Sequence, residues 1–268
     1  VTPYRLVALD LDGTLLRSDR TVSDRTRAAL AGARRAGVEL VLATARSPRG
    51  TIPIAADLGL RGLAICANGA TVFDLDTRAI VHHRPLPNHT AHRLVRELRD
   101  AVPGIVFGWE LELRFGSEPA YEALRQPAWW PRPEGSFPPS DPLEWQAPMT
   151  KLIGRVPNGD LPSAFLAARA VAGDDAVATL AGEAFVELLA PGVGKHAALA
   201  DVAADRGVSH EAVVAFGDHV TDAGMLAWAG LGIAVANAHP EARDAADEIT
   251  ASNDEDGVAL ALERLLAL

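Results

Sequence analysis

Short β-rich runs alternate with helically periodic stretches at both ends of this chain, and the alternation stops in the middle. Near the N-terminus LVALD is followed by a helical stretch from Ser23 to Ala36, then VELVLAT, a helix near 48–58 and GLAICA. That rhythm specifies βαβ units and hence a parallel sheet. The first helix carries its own signals: Ser23 as N-cap, Thr26, Ala29, Leu30 and Ala33 at i, i+3, i+4, i+7 spacing, and Gly37 as the stop. The pattern resumes with a helix from Lys195 to Arg206, the strand AVVAFG, a helix from Thr221 to Gly230, the strand GIAVA, a helix near 240–247 and a short EIT strand. The final helix puts Val258, Ala261, Leu262, Leu265 and Leu266 on one apolar face.

Between these halves, 84–188 reads as an inserted α+β domain: a helix over 89–102, strands at IVFGW and LELRF, a further helical patch, MTKLIGRV, a helix from Leu161 to Ala172, then AVATL and AFVELLA. The expected division is a core of 1–83 with 189–268 and an insert of 84–188. Within the insert, residues 127–148 hold seven of the 18 prolines and three of the five tryptophans. Prolines this dense prevent ladder pairing, so a long ordered loop is expected. Its tryptophans either line a substrate pocket or pin the loop to its own domain. Arg125, Trp129 and Trp130 are the substrate-contact candidates there.

Charge narrows the partners. Lys and Arg number 25 against 35 Asp and Glu, a formal net charge of -10, and no basic stripe offsets it, so nucleic acid is not expected. The single cysteine, Cys66, excludes an intrachain disulfide and points to a reducing compartment; in LAICAN it reads as a buried, inert thiol. No apolar stretch approaches the roughly 18 residues of a spanning helix, and Leu6 to Leu9 is too short for a signal peptide. A cytoplasmic protein without membrane partners, monomeric or a small homo-oligomer, is expected.

The chemistry begins at RLVALDLDGTLLRSD. Asp10 and Asp12 lie where the first strand ends, the end at which open α/β sheets place ligands, and i, i+2 spacing projects both to one side. Like charges that close need a cation, and Mg²⁺ suits them because it takes a few carboxylates while keeping waters and phosphate oxygens as its other ligands. An Asx-turn pair is the plain structural alternative.

DLDGTLL resembles the first signature of the haloacid dehalogenase-like (HAD) superfamily of phosphohydrolases, and the whole chain resembles its Cof-type members, with a Rossmann-like parallel-sheet core and a class IIB α+β cap domain inserted between the second and third motifs. The resemblance covers about residues 5–83 and 188–259, with four motifs in order. It implies that Asp10 attacks phosphorus to give an aspartyl-phosphate, that Asp12 protonates the leaving group and then activates water, and that Asp10, Asp12 and Asp218 hold the metal.

The second motif is LATAR, in which Thr44 and the Ala45 backbone would contact a phosphoryl oxygen; Ala45 stands where relatives often have Gly. Two roles fit Arg46, neutralising substrate charge or pairing with a surface carboxylate. In PGVGKHAAL the resemblance gives Lys195 the task of holding phosphate against Asp10. A nucleotidase phosphate loop is excluded there, because it would need Gly at 189 and Ser or Thr at 196 where Leu189 and His196 stand. In FGDHVTDAGML, Asp218 is the third metal carboxylate, Asp222 faces the same way one turn on, and Thr221 stands where relatives usually carry a phosphate-contacting Asn. Asn237 is a supporting candidate with a turn role as its alternative, and Asn68 either touches substrate or forms a hairpin turn. His82, His83, His89 and His92 lack a recognised zinc spacing.

These motifs imply a Mg²⁺-dependent phosphomonoesterase acting on small phosphorylated metabolites, sugar phosphates foremost. Two alternatives stay open: a phosphoryl transferase such as a sugar-phosphate mutase, and a non-catalytic phosphate-binding regulator.

Overall fold

The computed structural model describes residues 3–124, 132–157, 160–181 and 185–267. The chain forms two compact units, Val1–His82 with Gly194–Leu268, and His83–Val193. The boundaries expected from the sequence lie after 83 and 188, and the units divide after His82 and after Val193. A boundary after 188 would separate Leu189, the last residue of β10, from its partner Val177 in β9.

In chain order the first segment carries β1 (Leu6–Leu9), α1 (Asp24–Arg35), β2 (Glu39–Ala43), α2 (Pro48–Asp57), β3 (Leu63–Cys66), β4 (Thr71–Asp74) and β5 (Ala79–His83). The inserted unit follows with α3 (Asn88–Ala101), β6 (Val106–Leu111), β7 (Arg114–Ser117), α4 (Pro119–Ala123), β8 (Lys151–Arg155), α5 (Leu161–Ala172), β9 (Val177–Ala181) and β10 (Phe185–Leu189). The chain then returns through α6 (Lys195–Asp205), β11 (Val213–Gly217), α7 (Ala223–Trp228), β12 (Leu231–Ala234), α8 (Pro240–Ala245), β13 (Glu248–Ile249) and α9 (Gly257–Leu266).

The first unit is built on an eight-stranded sheet in the order β13-β12-β11-β1-β2-β3-β4-β5, parallel from β13 to β3, with β4 antiparallel to β3. Every residue of β1 and β11 is buried, the unbroken apolar reading of strands covered on both faces. The α1 signals hold: Ser23 Oγ accepts from the Thr26 backbone N–H at 3.0 Å, and Thr26, Ala29, Leu30 and Ala33 are buried. In α9, Val258, Ala261 and Leu262 are buried, while Leu265 and Leu266 pack at the edge of the same core. Cys66 is buried beside Thr51.

Two elements differ from expectation. The helix expected from Thr221 opens instead as a 3-10 turn, Val220–Asp222, before α7, because the Asp222 side chain reaches back to accept from the His219 backbone and tightens the first turn. The strand expected at LELRF begins only at Arg114, since Glu112 adopts a left-handed φ of 53° and makes the hairpin turn.

The inserted unit is an antiparallel sheet in the order β7-β6-β8-β10-β9. Leu94, Val95 and Leu98 of α3 and Ala164, Ala168 and Ala172 of α5 pack with Phe107, Trp109, Leu152 and Leu188 of the sheet, while Phe115, Tyr121 and Ile153 form a separate small cluster. In the described part of the Pro/Trp-rich segment, Trp145 packs against Trp109 of β6 with ring centres 6.0 Å apart, and its carbonyl lies 2.9 Å from His92 Nε2 of α3, so this tryptophan pins the segment to its own unit. Arg125, Trp129 and Trp130 lie outside the described residues.

Candidate active site

Sheet register brings the motifs together. Leu9 is level with Leu42 of β2 and with Phe216 of β11, so the residues just past these points, Asp10, Thr44 and Asp218, emerge at the same edge of the sheet. β1 lies between strands that follow it and strands that return much later, the switch in strand order at which parallel sheets open a crevice.

At the bottom of this crevice Lys195, the first residue of α6, points its Nζ between two buried carboxylates, 2.6 Å from Asp10 Oδ1 and 2.6 Å from Asp222 Oδ1. Asp222 Oδ2 accepts from the backbone N–H groups of Asp218 at 3.1 Å and His219 at 2.9 Å. Asp218 Oδ1 accepts from Thr14 Oγ1 at 2.7 Å. Carboxylate oxygens of Asp10, Asp218 and Asp222 all lie within 4.8 Å of one another, the one such group of potential metal ligands among the described residues.

Three carboxylates face a single ammonium. Burial pushes the Asp10 carboxyl well above its ordinary range; Lys195 pulls it down, and Asp222 and Asp218 add to the rise. Burial also raises Asp218, against the Thr14 hydrogen bond. For Lys195, burial favours the neutral amine, yet the charges of Asp10 and Asp222 outweigh it and hold the ammonium protonated above the usual lysine range. The residual negative charge and the all-oxygen donor set fit a hard divalent cation. Asp222 already spends both oxygens on Lys195 and the two backbone donors, so Asp10 and Asp218 are the side chains placed to hold such an ion.

Two glycines allow the approach. Gly13 has φ +86°, and a Cβ there would lie 2.4 Å from Asp218 Oδ2, so the turn after Asp12 packs directly on that carboxylate. Gly69, with φ +97°, would carry its Cβ 2.3 Å from the Gly194 carbonyl oxygen, where α6 begins. The hairpin between β3 and β4 puts Ala67, Asn68 and Gly69 in succession at positive φ, at a cost of roughly 1–2 kcal/mol for each of the two non-glycine residues. The N–H groups that this exposes are used. Ala67 N–H donates to the Arg46 carbonyl at 2.8 Å and Asn68 N–H to the Thr44 carbonyl at 3.0 Å.

The remaining candidates divide. Thr44 is buried and its hydroxyl accepts from the Arg46 N–H at 3.1 Å, with Ala45 half-buried between them. Asp12 is not among the three clustered carboxylates: its exposed side chain is gripped by Arg46, Nε to Oδ2 at 2.6 Å and Nη2 to Oδ1 at 2.5 Å. Of the two roles open to Arg46, the structure shows the carboxylate pairing. Thr221 Oγ1 lies 3.2 Å from His219 Nδ1. Asn237 donates to the Gly13 carbonyl at 2.8 Å and accepts from the Asn253 N–H at 3.0 Å, tying the Asp12 turn to the C-terminal segment. Sequence reasoning misses Asn253, because an Asn in the acidic run SNDED carries no signal distinguishing it from a turn residue. Of the grouped histidines, His82 pairs with Asp205, His83 with Thr150 and His92 with the Trp145 carbonyl, so these three have separate partners.

Comparison with known proteins agrees with this geometry. The profile of the haloacid dehalogenase-like hydrolases matches residues 7–262. A Bacillus subtilis protein, 5-amino-6-(5-phospho-D-ribitylamino)uracil phosphatase YcsE, is 30% identical over 259 residues, covering 96% of this chain and 94% of its own. The Escherichia coli pyridoxal phosphate phosphatase YbhA is 28% identical over 95% of this chain and 96% of its own. A crystal structure of a haloacid dehalogenase-like hydrolase from Bacteroides thetaiotaomicron superposes with a TM-score of 0.82 at 28% identity, covering 98% of this chain and 99% of that one. The chain belongs to the haloacid dehalogenase-like hydrolase family, in its Cof-type branch, and is a phosphatase of that family.

Proposed function

We propose that the protein is a Mg²⁺-dependent phosphomonoester hydrolase acting on small phosphorylated metabolites, sugar phosphates foremost, through an aspartyl-phosphate on Asp10. The observation that carries this reading is the Lys195 ammonium lodged between Asp10 and Asp222, beside Asp218. A bare carboxylate repels a phosphate dianion, and a buried fixed cation beside it offsets that repulsion where charge accumulates. The ion held by Asp10 and Asp218 would supply further charge neutralisation and orient the phosphoryl group.

In the first step an Asp10 oxygen bonds to phosphorus as the ester oxygen leaves, taking a proton from the Asp12 carboxyl. In the second a water oxygen bonds to phosphorus, the Asp10–phosphorus bond breaks, and Asp12 regains the proton from that water. Thr44 and the Ala45 backbone are assigned to the phosphoryl oxygens, with Thr221 as a further contact. The relatives' printed substrates, a phosphorylated ribitylaminouracil and pyridoxal phosphate, are both small phosphomonoesters, which supports the substrate class.

Phosphate release across a panel of sugar phosphates and other small monoesters, with Mg²⁺ and with EDTA, tests the proposal. Turnover should require Mg²⁺ and vanish in Asp10→Asn. Full activity in that variant, or activity indifferent to EDTA, refutes it.

A further inference from the structure

The pairing of Arg46 with Asp12 calls for an explanation that stability does not provide. The Asp12 side chain is 52% exposed, and ion pairs so open to water contribute little to folding. Yet both ends of this one are anchored. The Arg46 main chain is held on both sides, its N–H on Thr44 Oγ1 and its carbonyl by the Ala67 N–H. Its aliphatic stem lies along Gly50, where an added Cβ would come within 3.5 Å of the Arg46 Cβ and 3.8 Å of its Cδ. Across the pair, the turn carrying Asp12 is fixed by Asn237 on the Gly13 carbonyl and by Thr14 on Asp218.

Resting on the reading of Asp12 as the proton donor and acceptor, we propose that Arg46 is a positioning residue: its guanidinium fork holds the Asp12 carboxylate in one orientation for proton transfer. An exposed aspartate otherwise rotates freely, and two parallel N–H···O bonds from a planar group fix the carboxylate plane in a way that a point charge does not. Each carboxylate oxygen has about two acceptor sites. The fork takes one on each oxygen and leaves another for the travelling proton. That proton passes from Asp12 to the leaving oxygen as the phosphorus–oxygen ester bond breaks, and returns from water as the aspartyl-phosphate is hydrolysed.

The test compares leaving groups. An alkyl phosphate needs its departing alcohol protonated, whereas p-nitrophenolate leaves unaided, so a displaced acid is felt in kcat/KM for the first far more than for the second. With Mg²⁺ present, Arg46→Ala should lose about 10²-fold on a sugar phosphate, the lower end of what general acid catalysis supplies, and under tenfold on p-nitrophenyl phosphate. Added guanidinium should restore part of the sugar-phosphate rate, and Arg46→Lys should stay impaired. Equal losses on both substrates, full recovery in Arg46→Lys, or a large fall in melting temperature with both activities lost alike would overturn the inference. Asp12→Asn separates this from the proposed function. If Asp12→Asn shows the leaving-group split and Arg46→Ala does not, only the role of Arg46 fails; if Asp12→Asn shows no split, the acid–base reading of Asp12 fails as well.

Discussion

Asp222→Asn removes one negative charge, shared about equally by two carboxylate oxygens, and almost no volume, so its effect isolates what the carboxylate does. Asp222 is fully buried, and all three of its partners are donors: Lys195 Nζ at 2.6 Å, Asp218 N at 3.1 Å and His219 N at 2.9 Å. An amide has one oxygen and one NH₂, so either the ammonium or the pair of backbone N–H groups must face another donor. Truncating one partner of a buried ion pair costs about 3–5 kcal/mol. Lys195 keeps Asp10 as a partner, which places the expected loss near the lower end, about 3 kcal/mol. For a unit of this size that corresponds to a fall in melting temperature of roughly 6–12 °C. Calorimetry and urea titration of metal-free protein measure it, with the urea slope unchanged if only native stability has altered. A variant within about 1 kcal/mol of the parent would show that the carboxylate does not satisfy these donors.

Other outcomes follow from the same structure. Gly13→Ala should lose folding stability by roughly 1–2 kcal/mol from its left-handed φ alone, and because the new Cβ displaces Asp218 it should also weaken the Mg²⁺ binding proposed above; unchanged Mg²⁺ affinity in calorimetric titration would contradict that proposed role of Asp218. Burial lowers the His83 pKa, only partly opposed by the Glu112 charge. The unfolded chain therefore takes up a proton that the folded one resists, and stability should fall as pH drops from about 6.5 toward the folded value, then level off. His83→Gln should flatten that part of the urea-stability profile, and an unchanged slope would assign it to other groups.

What was legible in the sequence was local. Ser23, the α1 stripe and Gly37 each act within a few residues of one another, and spacing alone places them. Register brings Asp10, Thr44 and Asp218 to one edge of the sheet; the repeated βαβ units made the parallel sheet readable, but not its strand order or register. Pairing across loops was not readable. Nothing near Asp12 announces Arg46, 34 positions away, and the i, i+2 rule describes extended backbone, whereas the strand ends at Leu9 and the chain is already turning at Leu11. Asp222 showed only as a helix-face neighbour of Asp218, whereas its second oxygen closes the 3-10 turn and its first holds the lysine.

The strand order also bears on how the molecule comes into being. β1 is flanked by β2, made almost at once, and by β11, made some 200 residues later. At about 5–20 residues per second, the side of Leu6–Leu9 reserved for β11 stays bare on the ribosome for roughly 10–40 s. Through that interval the N-terminal half-sheet offers an open apolar edge to any stray strand, which makes the nascent chain a natural client for chaperones and leaves refolding from denaturant prone to aggregate as concentration rises.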